Sequence, residues 1–166
     1  MGGPVQSEEG ILGGIWGGDN SDFEVSKKYL SSFCKNVYNF GNVEKASKAK
    51  LLSNFLSLLT TTTVIEFFRS ANKLDIDTQL LCDVAKLGSG NSGALDRISS
   101  KALKGDFKGY VFSVNNTLKD LTYISDLLKD SKNGEQLSQI AKNFYKSAQE
   151  KGFGDLLVSE LIEKDY

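Results

Sequence analysis

Before about residue 41 short alternating runs of apolar residues flank one helical stretch; from residue 44 apolar residues recur every three or four positions and stay so. Alternation sends successive side chains to opposite faces of a strand, whereas the longer spacing gathers them on one side of a helix. "GILGGIWGGD" (10–19) reads as a strand ending in a turn. "SDFEVSKKYLSSFCK" reads as an amphipathic helix capped by Ser21 or Asp22, with Phe23, Tyr29, Leu30 and Phe33 on one side. "NVYNF" (36–40) is a short strand closed by Gly41.

The stretch "EKASKAKLLSNFLSLLTTTTVIEFFRSANKL" predicts one helix of unusual length. Thr60 to Thr63 weaken it locally through β-branching. Leu52, Phe55, Leu56, Leu59, Thr63 and Phe67 form a wide apolar side whose burial can compensate. Further helices are expected over 75–87, 92–103, 114–129 and 134–151, with a short one over 155–163. The fold class that follows is mainly α. A multi-helix bundle is built on one long helix (44–166), preceded by a strand–helix–strand remnant of a sheet (1–43). Two strands alone are marginal in water, and their open edges invite pairing with another chain.

Composition narrows the function classes. With 166 residues the chain is the size of one domain, and 40% hydrophobic with 25% charged residues is an ordinary globular balance. A net charge of −1 leaves no electrostatic footprint for nucleic acid. No uninterrupted apolar run reaches the roughly 18 residues that would span a membrane, and the N-terminus shows no secretory pattern. The absence of His removes the commonest zinc and haem ligand and any Ser-His-Asp or Cys-His system, so no metal site is expected. Cys34 and Cys82 read as buried, reduced thiols, and the expected location is cytoplasmic.

Two motifs bear on chemistry. "GSGNSG" (88–93) matches the dinucleotide fingerprint G-x-G-x-x-G letter for letter. That fingerprint works only between a strand and the start of a helix, where the pyrophosphate meets the helix N-terminus. Here Ile76, Leu80, Leu81, Val84 and Leu87 carry a helical period into the motif, with Asp75 or Asp77 as cap. The reading is a helix–helix turn with Gly88 or Gly90 as C-cap and Ser92 as the next N-cap. The second motif is Lys50 followed four residues on by Asn54, which places both on one helix face. Such a pair can move a proton at a substrate oxygen and hold the same substrate, provided the lysine is acidified by burial or a neighbouring cation. It can equally be a solvated surface pair.

Four stretches in sequence order favour the first reading: "GGPVQSEEGILGGIWGGD", "FGNVEKASKAKLLSNF", "GSGNSGALDRISSKALKGDF" and "FSVNNTLKDL". Together they resemble the C-terminal portion of the β-hydroxyacid dehydrogenases, the family of 3-hydroxyisobutyrate dehydrogenase, from Gly2 to about Glu160. The resemblance implies that Lys50 is the catalytic acid/base and Asn54 its substrate-positioning neighbour. It implies that Gly2 and Gly3 offer backbone amides to the substrate carboxylate. Lys119 would reach toward the cofactor, and Asp120 would orient or cap within its own helix. It further implies a homodimer formed through the helical domain and a small 3-hydroxy acid as substrate, with no nucleic acid or membrane as partner. There are departures. Of the three glycines usual before the lysine only Gly41 matches, with Glu44 and Ala46 in the other places. Glu44 would pair with Lys50 or weaken binding of an anion. The serine usual before the two glycines falls on Met1, and Gly93 stands where some members carry an aromatic residue.

The family's Rossmann domain lies ahead of the substrate loop, and this sequence opens inside that loop. The expectation is a catalytic-helix and dimerisation domain that is inactive alone and binds no cofactor by itself. NAD or NADP belongs to the intact family enzyme, and a Rossmann-domain chain could complement this one in trans. The alternative is a non-enzymatic helical dimerisation or scaffold remnant of the family.

Overall fold

The computed structural model describes residues 1–166 and divides into two compact units, Met1–Asn54 and Phe55–Tyr166. The boundary lies further along the chain than the change of period at 43/44, because the first turns of the long helix pack with the N-terminal unit.

In the first unit a five-residue helix α1 (Pro4–Glu8) leads to β1 (Leu12–Trp16), α2 (Asn20–Leu30) and β2 (Cys34–Asn39). β1 and β2 are parallel, with Ile15 opposite Tyr38 and an irregularity between Leu12 and Gly13. A helix between two parallel strands is the expected crossover. Gly14 lets the strands approach at Val37, since a Cβ there would lie 3.0 Å from both Val37 methyls. α2 is shorter than its apolar pattern suggests. It stops at Leu30, Tyr29 is 73% exposed, and Cys34 already belongs to β2. Apolar spacing in this stretch does not mark a face buried within the chain.

α3 (Val43–Lys73) runs unbroken for 31 residues, as its sequence predicts. The threonine run is accommodated locally. The hydroxyls of Thr60, Thr61, Thr62 and Thr63 each donate to the carbonyl four residues back, at 2.7–3.0 Å. This satisfies the hydroxyls without breaking the helical ladder. The buried stripe differs from the predicted one. Leu58, Thr61, Val64, Ile65, Phe68 and Ala71 face the core, whereas Leu52 and Leu56 are exposed. α3 is apolar on more than one side, so periodicity alone cannot choose the inward one. α3 is also the single helix long and apolar enough, by length and composition, to cross a membrane.

The second unit continues with α4 (Thr78–Leu87), α5 (Gly93–Ala102), α6 (Val114–Leu127), α7 (Lys132–Glu150) and a 3₁₀ segment (Val158–Glu163). Side-chain caps fix three of the starts. Asp77 accepts from the Leu80 amide, Ser92 from Leu95 and Ser113 from Asn116. Each satisfies a backbone donor that the helix cannot. Leu95, Ile98, Leu121, Ile124, Tyr145, Val158 and Leu161 form the core. Tyr145 is fully buried and its hydroxyl bonds Thr62 Oγ1 at 3.0 Å, so burial pushes the phenol pKa up. Arg69 donates to the carbonyls of Leu161 and Lys164 and lies over the Tyr166 ring, tying the last residues to α3. Cys34 and Cys82 are buried and unbridged, as expected.

Candidate functional site

The entry into α3 is built by short polar contacts. Gly41, at φ +88°, adopts a conformation that side chains resist, and its amide donates to Asn39 Oδ1 at 2.8 Å. The Lys45 amide donates to Asn42 Oδ1 at 2.9 Å, which caps the helix. The first turn then abuts the strand end. A Cβ on Gly17 would lie 2.6 Å from Ala46 Cβ and from the Asn42 carbonyl oxygen. Ala46 is accordingly buried, and Lys50 and Asn54 follow it at steps of four, both half-buried. Ala46, Lys50 and Asn54 thus share one face. Both Lys50 and Asn54 are engaged in polar contacts.

The Glu44 carboxylate pairs with Lys48, four residues on, and that ammonium holds its pKa below the usual carboxylate range. At about 100° per residue, Glu44 projects about a third of a turn away from Lys50. Both Glu44 and Lys48 side chains are more than half exposed, so the pair sits in water.

Gly2 and Gly3 stand in the same unit as Lys50, at the start of α1. Gly2 has φ +132°, and a Cβ there would meet Leu12 Cδ2 at 2.9 Å and Gln6 Cβ at 3.1 Å. The Gly3 amide is already used, donating to Gln6 Oε1 at 2.8 Å. Gln6 was not singled out from sequence. Its signal was a glutamine three residues after a helix-opening Gly-Pro, the position from which a side chain reaches back to the first amide. Lys119 belongs to the second unit, on α6, exposed and 3.5 Å from the buried carboxylate of Asp120. No group of three or more potential ligands could hold a metal.

The "GSGNSG" stretch joins α4 to α5, with Gly88 as the extended C-cap and Ser92 as the bonded N-cap. No strand enters it, so it lacks the geometry that cradles a pyrophosphate.

A family profile described as NAD-binding of NADP-dependent 3-hydroxyisobutyrate dehydrogenase matches residues 45–164. The chain belongs to this family. The matched stretch contains Lys50, Asn54 and Lys119, and Gly2 and Gly3 lie ahead of it. An uncharacterized oxidoreductase of Synechocystis sp. is 29% identical over 125 residues, which cover 75% of this chain and 43% of that protein. Two solved dehydrogenases share the fold. The 3-hydroxyisobutyrate dehydrogenase of Salmonella typhimurium superposes with a TM-score of 0.86 at 24% identity. That of Mycobacterium tuberculosis, solved with L-serine, superposes with a TM-score of 0.81 at 25% identity. Each match covers 98% of this chain and 57% of the solved one. The chain therefore spans about half the length of the dehydrogenases it matches. The helical architecture and the resemblance to a C-terminal portion of the family stand as read from sequence.

The family is one of NAD(P)-dependent oxidoreductases, and the fit of a dinucleotide to these residues can be tested on the structure. Its one glycine fingerprint is a helix–helix turn, and its one parallel strand pair is joined through α2 by "GGD" rather than by that fingerprint. The residues present do not build a Rossmann pyrophosphate cradle.

Proposed function

We propose that the chain supplies the proton-transfer and carboxylate-binding side of the NAD(P)-dependent oxidation of a small 3-hydroxy acid. Lys50 Nζ takes the proton of the substrate hydroxyl as the carbinol becomes a carbonyl, and returns it in the reverse direction. Asn54 holds the same substrate through its carboxamide. The amides of Gly2 and Gly3 receive the carboxylate. Lys119 contributes a cation on the cofactor side. The nicotinamide cofactor supplies the hydride acceptor when bound, and its pyrophosphate is held by a nucleotide-binding domain outside these residues, on this polypeptide or another. The observation that carries the reading is the half-buried Lys50–Asn54 pair on one face of α3, within the stretch that matches the family. The test is to combine this chain, fused or mixed, with the nucleotide-binding domain of a family relative. The combination is expected to reduce NAD or NADP with 3-hydroxyisobutyrate or L-serine where neither part alone does. A folded combination without turnover on either acid would defeat the proposal.

We also infer a homodimer through the helical unit. The most apolar 18-residue window of α3 is only 28% buried within the chain, and Leu56 is 71% exposed. Apolar residues left exposed on a long helix suit an association face. Light scattering at micromolar concentration is expected to give twice the 18.2 kDa of one chain, and Leu56→Glu to return the monomer. A monomeric wild type would exclude the dimer.

A further inference from the structure

The side chain of Asn39 reaches both turns that lead out of the parallel strands. Its Oδ1 accepts from the Gly41 amide at 2.8 Å, and its Nδ2 donates to Asn20 Oδ1 at 2.9 Å. We propose that Asn39 is a positioning residue for Lys50. It fixes the direction in which α3 leaves the sheet and, through α3, the place of the ammonium. This role rests on the proton transfer assigned above to Lys50.

The two turns are joined side by side. Gly18, after β1, donates its amide to the carbonyl of Gly41, after β2, at 2.6 Å, and the Phe40 amide donates to the Trp16 carbonyl at 3.0 Å. Asn39 adds a side-chain link across the same gap, from the last residue of β2 to the first residue of α2. Gly41 stands at φ +88°, and Asn42 follows it with its Oδ1 on the Lys45 amide and its carbonyl oxygen on the Ala46 amide. Asn39 therefore holds the pivot of α3, two residues before the helix begins.

The ordinary explanation of the Asn39–Gly41 bond is a local turn, in which a carboxamide oxygen accepts the amide two residues on. Such a turn uses only Oδ1. It leaves unexplained the Nδ2 arm, which crosses to a residue 19 positions earlier and ties the turn to α2, itself packed with β2. The arm matters because of leverage. Lys50 stands seven residues beyond Val43, about 10 Å along the helix axis, so a tilt of about 6° at the pivot carries its backbone about 1 Å. A displacement of that size in a positioned group can cost about a hundredfold in rate. Two hydrogen bonds that border solvent contribute far less to stability. The packing of Gly17 on Ala46 limits the tilt, so the expected loss is about tenfold.

The experiment compares Asn39→Leu, which removes both bonds while keeping the branched shape, with Asn39→Asp. The aspartate keeps an acceptor for Gly41 and offers another to Asn20 once the Asn20 carboxamide turns over. In the ¹⁵N-labelled full chain, residual dipolar couplings give the direction of the amides of residues 43–50 relative to those of β1 and β2. In the assembly with a relative's nucleotide-binding domain, steady-state kinetics give kcat and KM for 3-hydroxyisobutyrate. Asn39→Leu is expected to turn α3 by about 6° and to lower kcat about tenfold with KM within about twofold of wild type. Asn39→Asp is expected to restore both. Asn20→Ala cuts only the arm across the gap and is expected to fall between, which covers the case in which the leucine variant does not fold. In a Lys50→Ala background Asn39→Leu is expected to cost nothing further, because a positioning residue acts through the group it positions. An unchanged direction of α3 in Asn39→Leu and Asn20→Ala overturns the positioning role whatever the assembly does. So does a loss that persists without Lys50, or one that appears in KM rather than kcat. If α3 turns as expected but the assembly has no turnover, or Lys50→Ala leaves turnover unchanged, it is the reading of Lys50 that fails, and with it the role of Asn39.

Discussion

In an assembly that oxidises a 3-hydroxy acid, Lys50→Ala is expected to lower kcat by about 10²- to 10⁴-fold, the range one positioned proton donor or acceptor contributes. KM should change far less, since the alanine leaves the carboxylate contacts and Asn54 in place. Lys50→Arg separates the two ways a lysine can act. A guanidinium keeps the positive charge but does not give up its proton in a protein. If Lys50 works by proton transfer, the arginine variant is nearly as slow as the alanine variant. If it works only as a fixed charge, arginine restores much of the rate. Asn54→Ala, by contrast, removes a substrate contact and should raise KM, with a smaller loss in kcat. The local structure makes these changes readable. Lys50 lies within a 31-residue helix and the Glu44–Lys48 pair projects from a different side. Substitution at residue 50 therefore leaves helix initiation and that ion pair intact. Turnover of Lys50→Ala within about threefold of wild type is far inside the range expected of an acid/base, and would remove Lys50 from the chemistry.

Much of the second unit could be read from caps and periods because those signals are local. Asp77, offered together with Asp75, and Ser92 mark helix starts where their side chains accept backbone donors, and the structure uses both. The glycine-rich stretch at 88–93 could be rejected as a nucleotide loop for the same reason, since the helical period on each side is visible in sequence. What failed were choices that only packing makes. α3 carries apolar residues around more than one side, and the stripe from Leu58 to Ala71 is the buried one while Leu52 and Leu56 stay exposed, a choice that periodicity does not make. α1 has too few residues for a period and no buried one. The family was legible in a different way. Nothing in the spacing of Lys50 and Asn54 separates a proton-transfer pair from a solvated one; the ordered resemblance of four stretches pointed to the family, and the family profile matches 45–164, the stretch that contains both residues. The occupied Gly3 amide required coordinates, because a glutamine three residues on indicates only that such a bond is possible.

Gly17→Ala is expected to destabilise the first unit by about 1–3 kcal/mol, the usual cost of adding a methyl to a full site, and to impair turnover more than that loss of stability explains. The reason lies in where the methyl must go. An added Cβ would stand 2.6 Å from Ala46 Cβ, 2.6 Å from the Asn42 carbonyl oxygen and 2.8 Å from Val43 Cα. Two of these three atoms are backbone, so no rotamer change relieves them. Either the end of β1 or the first turn of α3 has to move, and Lys50 is one turn beyond Ala46 on that helix. A shift of the order of 1 Å in a positioned group can cost about a hundredfold in rate. Two further substitutions isolate this mechanism. Gly93→Ala, where a Cβ meets nothing within 4 Å, should be neutral or slightly stabilising. Adding Ala46→Gly to Gly17→Ala removes the methyl–methyl contact but leaves Asn42 and Val43, so stability and kcat should recover only in part. Thermal unfolding and steady-state kinetics on the same preparations decide the matter. If Gly17→Ala melts with the wild type and turns over normally, the strand end and the helix start are not in the contact described, and the support for Lys50 lies elsewhere in the unit.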